Sequence, residues 1–108
     1  DYENNNVLIE LKSRKAKWQQ YPSLMFSTAK LNKAIKLNED PNFKKEIYFF
    51  WHLQDGLYYW KFNKDEYTIK IGGRNDRGKN EYQDVVYINN EFIKNYNDLS
   101  FPEGYWKN

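Results

Sequence analysis

Glu10 and Lys12 are separated by a single residue, and no other acidic residue of the chain has a lysine two positions after it. Alternate side chains of an extended strand share a face. This carboxylate and this ammonium therefore stand on one side, their Cα atoms about 6.6–7 Å apart. Another acid, Asp1, precedes them across an Asn-rich stretch, and a hairpin there would bring the two carboxylates together. Carboxylates at close range repel unless a divalent cation lies between them. A cation so held polarises a phosphoryl oxygen and lowers the pKa of a bound water. A lysine beside it orients or deprotonates that water, or neutralises charge that builds on the phosphate. The competing interpretation of Glu10 and Lys12 is a strand-surface ion pair, which contributes little.

Basic side chains gather twice, Lys12, Arg14, Lys15 and Lys17 within six residues and Arg74, Arg77 and Lys79 within another six. The formal net charge is only +2, too small by itself to identify a nucleic-acid partner. Each cluster taken alone reads first as a solvated loop. Around the second, Gly72, Gly73 and Gly78 let backbone amides approach phosphates while Arg74 and Arg77 grip them. The structural alternative is a hairpin loop in which Asp76 pairs with an arginine. The spacing matches neither a P-loop nor a dinucleotide fingerprint. Trp51, Tyr58, Tyr59 and Trp60 are able to stack on bases or sugars, although such a run more often fills a sheet core. His52 lies among these aromatics and reads as a hydrogen-bonded structural histidine.

The 108 residues fit one domain. With 40% hydrophobic and 19% aromatic residues there is enough apolar surface to offset chain entropy, which excludes a disordered chain. The absence of cysteine excludes thiolate zinc sites, redox pairs and disulfides, and a single histidine excludes multi-histidine metal centres. Any metal ligands must then be carboxylates, which favours magnesium or manganese. No apolar run approaches the roughly 20 residues that span a bilayer, and no signal peptide is visible, so an intracellular location is expected.

Elements must position these residues. Asp1 to Asn6 reads as a turn. The run from Val7 to Lys12 reads as a strand, with Val7, Ile9 and Leu11 on a core face and Leu8, Glu10 and Lys12 opposite. Tyr21-Pro22-Ser23 looks like a helix start, and Asp40-Pro41 stops the helix at about Asn38. Leu24, Thr28, Leu31 and Ile35 form its buried stripe, with Ala34 and Met25 beside it. Asp55-Gly56 joins two aromatic strands, 47–53 and 57–62, into a hairpin. Residues 67–71 and 85–88 read as strands with a flexible loop from Gly72 to Gly78 between them, 90–96 as a short helix and 99–108 as a tail. The expected fold is α+β: a twisted sheet with one long helix packed on it, followed by a β-meander.

Asp1, then Val-Leu-Ile-Glu10-Leu-Lys12-Ser-Arg, then a helix carrying Lys30, resembles the PD-(D/E)XK or restriction-endonuclease-like nuclease superfamily over roughly residues 1 to 60. The resemblance implies a restriction-endonuclease-like core and a magnesium-dependent phosphodiesterase, with DNA more expected than RNA. Asp1 then matches the first metal-binding acid, Glu10 the second and Lys12 the catalytic lysine; Lys30 or Ser27 matches the polar residue of the following helix. Arg14, Lys30, Arg74, Arg77 and Lys79 are expected to contact nucleic acid, and the sequence has a phage or viral character. The superfamily core places a helix and a strand ahead of the first acid, whereas this sequence begins at Asp1. A nuclease-like domain over 1–108, truncated at its N-terminus, is therefore expected, with Glu3 as the substitute for Asp1. Two other functions are open to these residues: a non-catalytic nucleic-acid-binding module using the basic loops, and a carbohydrate-binding or interaction domain with a solvent-facing row of aromatics.

Overall fold

The computed structural model describes the backbone of residues 2–74 and 81–98, and the side chains of 2–70 and 85–97. The chain opens with two short-linked strands, β1 (Tyr2–Glu3) and β2 (Val7–Ser13), then β3 (Ser23–Ser27) and the helix α1 (Thr28–Glu39). The strands β4 (Glu46–Leu53), β5 (Gly56–Lys61), β6 (Tyr67–Arg74) and β7 (Glu81–Asn89) follow, and β8 (Lys94–Asn95) lies between two 3-10 turns, Asn90–Phe92 and Tyr96–Asp98. One sheet has the order β1-β2-β4-β5-β8 and a second the order β3-β7-β6. The architecture is mixed α+β, as expected. The meander, however, is divided: β4 and β5 stay with β2, while β6 and β7 leave to pair with β3.

The β1–β2 hairpin is closed by Asn4, which is buried. Its Oδ1 accepts hydrogen bonds from the backbone of Asn6 at 2.7 Å and Val7 at 2.9 Å, an Asx turn that does the work of a backbone turn. Tyr2 pairs with Ile9 and Glu3 with Leu8. β4 is Glu-Ile-Tyr-Phe-Phe-Trp-His-Leu, and its residues from Ile47 to Trp51 are all buried. Apolar side chains on both faces suit it to the centre of a sheet. It runs parallel to β2, with Glu10 opposite Phe49 and Lys12 opposite Trp51. Parallel neighbours need a long crossover, and β3 with α1 forms it. The Asp55-Gly56 turn joins β4 to antiparallel β5.

The expected helix start at Pro22 is corrected. Residues 23–27 are a strand, and α1 begins at Thr28, six residues after Pro22, where the Ser27 hydroxyl caps it by accepting from the Lys30 amide. Leu24 and Phe26 are both buried while Met25 between them is half-buried, an alternation that only an extended chain delivers. Within the helix the stripe is Leu31 and Ala34, buried, with Ile35 packed against the core beside them, and Leu24 reaches the core from β3 instead. The expected short helix over 90–96 is a single 3-10 turn followed by β8. Gly72, Gly73 and Arg74, expected in a loop, continue β6.

The main core fills the space between the larger sheet and the layer made by α1 and the smaller sheet. Phe26 stacks on Phe49 with ring centroids 4.1 Å apart, and Phe49 meets Trp60 at 5.5 Å. Trp51 is fully buried, and its indole N–H donates to the Met25 carbonyl at 3.1 Å. A polar handle buried in this way needs a partner. The other face of the sheet carries a smaller cluster of Val7, Tyr48, Phe50 and Tyr59. The face carrying Leu8 and Glu10 therefore looks onto the main core. The Val7–Ile9–Leu11 face, expected to be the core face, serves the smaller cluster and ends with Leu11 half in solvent.

Candidate functional site

Glu10 is a carboxylate, a side chain that usually stays in water, yet only 3% of it is exposed. The main-core face of β2 forces this, since Leu8 two residues earlier lies in the core. A buried carboxylate must be paired or neutralised. Here two lysines of α1 reach it. Lys33 donates a hydrogen bond to Oε1 at 3.1 Å, and the Lys30 ammonium lies 3.0 Å from Oε2. The two carboxylate oxygens thus have one ammonium each. Burial pushes the Glu10 pKa up, but hydrogen bonding and charge from Lys30 and Lys33 outweigh it and hold the carboxyl below its ordinary value. Glu10 is therefore an anion at neutral pH.

Lys12 follows on the same face, half-buried. Beyond it the chain emerges from the sheet at Ser13 and enters the basic segment. Glu3 is turned to Lys45, whose Nζ is 2.6 Å from its Oε2. Across the hairpin Glu3 faces Leu8 rather than Glu10. Asp1 lies outside the described residues, as do Arg77 and Lys79. Arg74 ends β6 opposite Glu81. Arg14 lies immediately past β2, its guanidinium donating to the Ser13 carbonyl at 3.1 Å. Of the expected residues the structure thus brings Glu10 and Lys30 into contact and sets Lys12 on their face.

Lys33 was not among the expected residues. The available signal was its spacing of three from Lys30, which puts both on one side of a helix. His52, expected as a hydrogen-bonded structural histidine, lies exposed on β4. Trp51, Tyr58, Tyr59 and Trp60 are all buried, as their reading as sheet-core residues expects, so they supply no solvent-facing row for the carbohydrate-binding alternative.

Among the described residues no group of three acids or histidines converges to hold a metal. Magnesium needs less than that: it takes one or two carboxylates and fills its shell with phosphate oxygens and water. An ionised carboxylate is a hard oxygen donor and fits one such position. The nearest competitor is the Lys30 ammonium, which stands where a cation would approach.

A mixed sheet that carries Glu-x-Lys on one strand, with a lysine-bearing helix over that acid, defines the class of protein. The chain belongs to the family described as Phage putative PDDEXK endonuclease, whose model matches residues 2–98. No curated protein matches the chain, and no solved structure matches it. Among the described residues no helix is long and apolar enough to cross a membrane.

Proposed function

We propose that this protein is a metal-dependent nuclease that hydrolyses phosphodiester bonds in DNA inside the host cell, and that residues 1–108 act as one domain. The observation that carries the reading is the buried, ionised Glu10 two residues before Lys12, on the strand flanked by β1 and by parallel β4. That mixed sheet with α1 packed against it suits a restriction-endonuclease-like core. The family description supports the endonuclease activity.

Glu10 and Asp1 would hold Mg2+ or Mn2+. The next rung of β2 beyond the Tyr2–Ile9 pair is Glu10, and the residue ahead of Tyr2 in the chain is Asp1. When bound, the ion supplies Lewis-acid polarisation of the phosphoryl oxygen and a more acidic water. Lys12 orients the attacking water. Lys30 and Lys33 keep the buried carboxylate charged before substrate arrives. Lys30 then turns to a phosphate oxygen, a new anionic partner for an ammonium that is already one-third exposed. Arg14, Arg74, Arg77 and Lys79 hold the backbone on either side by charge-assisted hydrogen bonds.

The test is cleavage of plasmid DNA in Mg2+ by the parent, Glu10→Gln and Lys12→Ala. Both variants are expected to fold, to bind DNA nearly as well as the parent and to lose cleavage. A Glu10→Gln protein that cuts at the parent's rate overturns the reading. The second function, a non-catalytic nucleic-acid-binding module, is favoured by the basic segment after β2. It predicts binding that weakens steeply with salt and ignores Mg2+.

A further inference from the structure

The segment between β2 and β3 is rich in lysine and glutamine, yet it is pinned at several points. The Arg14 amide donates to the His52 carbonyl at 3.0 Å, which carries the β2–β4 pairing past the strand end. The Gln54 amide donates to Ala16 at 2.9 Å. The Trp18 amide meets both carboxylate oxygens of Asp55 at 3.0 and 3.1 Å, and the Trp18 ring stacks on Tyr58 at 4.4 Å. Gln19 takes a positive φ of 65°, a conformation that costs a non-glycine residue energy and persists where its surroundings impose it. At the far end Asn90 clasps the chain twice. Its side-chain amide donates to the Tyr21 carbonyl at 2.6 Å and its backbone amide to Pro22 at 3.0 Å.

A cavity of about 500 Å³ lies under this pinned segment, within the size range of small-ligand sites. It is lined by Met25 of β3, by Tyr87 of β7, which pairs with Met25, and by Arg14, Lys15 and Tyr21, among others. Tyr87 already has the Lys70 ammonium 5.9 Å from its ring centroid. Tyr21 is 57% exposed, although its backbone is held by Asn90. An exposed aromatic ring on a held backbone, beside two cations at a recess, has the chemistry of a nucleotide subsite: stacking for the base and charge for the phosphate. Arg14 and Lys15 also border a second cavity of about 400 Å³ beside Ser13, His52 and Gln54. They stand between two recesses, as a phosphate clamp between successive nucleotides would.

We propose that the cavity under residues 14–22 binds an unpaired nucleotide of the substrate, with its base on Tyr21 and its phosphate on Arg14 and Lys15. The proposal rests on the nuclease reading for the identity of the ligand. It adds that the substrate is single-stranded or locally opened next to the cleavage site, because a base inside a duplex cannot enter a recess without leaving its stack. Lys12 is two residues from Arg14, about 7 Å along an extended chain, so the subsite adjoins the proposed catalytic lysine.

The test is binding in EDTA at low salt, followed by anisotropy for a labelled single-stranded oligonucleotide and for a blunt duplex of equal length. A 2-aminopurine base in the single strand reports stacking. The parent is expected to bind the single strand more tightly and to quench the 2-aminopurine. Tyr21→Ala should weaken single-strand binding by roughly ten-fold, the loss of one base–aromatic stack, abolish the quenching and leave duplex binding unchanged. Tyr21→Phe should retain both. Equal weakening on both ligands, or no effect of Tyr21→Ala, overturns the proposal. Plasmid cleavage in Mg2+ by the parent is scored separately. A parent that cuts although Tyr21→Ala is neutral keeps the nuclease and loses the subsite, and one that stacks the base but never cuts does the reverse.

Discussion

The Lys33 ammonium lies 3.1 Å from the Glu10 carboxylate, a contact between residues 23 positions apart. It ties the crossover helix to the strand that carries the acid. With Lys30 on the other oxygen, a buried negative charge is held between two ammoniums that are each partly in water.

This arrangement makes stability depend on acid. Glu10 titrates lower in the folded protein than in the unfolded chain. Its contribution is therefore fully present above the unfolded value of about 4.3 and is lost as pH falls through the lower folded value. Melting temperatures between pH 7 and pH 2.5 should show the difference between the parent and Glu10→Gln shrinking at the acid end. A difference that stays constant across that range contradicts the assignment.

The two lysines should back each other up. Lys30→Met or Lys33→Met alone should cost roughly 0.5–1 kcal/mol, since each is a partly exposed partner and the other remains. The double variant should cost more than the sum, about 3 kcal/mol, because it leaves a buried carboxylate without a cation. Urea unfolding of the four proteins measures the coupling. Strict additivity would show that the lysines act independently of the shared acid.

Residues 23–27 should respond to truncation with a period of two. Phe26→Ala should cost about 3–5 kcal/mol and Leu24→Ala about 2–5 kcal/mol, since both are buried in the main core. Met25→Ala, on the outward side, should cost under about 1 kcal/mol. Comparable losses at all three positions would contradict the strand.

Asp55 has two roles that one substitution separates. Asn-Gly supports the same hairpin turn as Asp-Gly, so Asp55→Asn should keep the β4–β5 hairpin. It removes the charge that receives the Trp18 amide, a charge-assisted bond contributing about 1 kcal/mol at an exposed position. The expected results are a shift in Trp18 fluorescence and faster proteolysis between Arg14 and Gln20, with little change in overall melting. Unchanged proteolysis would mean that the segment is held by its other contacts alone.

The elements legible in the sequence are those whose signals are local. Asp55-Gly56 between aromatic runs gives the hairpin, and the alternation from Val7 to Lys12 gives a strand with Glu10 and Lys12 on one side. β3 was hidden by coincidence. Pro22 before a serine imitates a helix start, and Leu24, Thr28, Leu31 and Ile35 fall at helical spacing across what is really a strand joined to a helix. What decides the matter is Phe26 stacking on Phe49, a contact with no trace in the neighbouring residues. The division of the meander into two sheets has the same origin, because β7 pairs with β3 from about sixty positions away. The Glu10 pairing was half legible: Lys30 stood out on the helix, whereas the part played by Lys33 depends on where α1 settles against β2.

Ser27 is at once the last residue of β3 and the cap of α1, so strand and helix meet with no slack between them. No linker stands between them to absorb a difference in direction, so the register of β3 fixes where the helix begins. The first turn of the helix, and Lys30 in it, is positioned directly by the end of the strand.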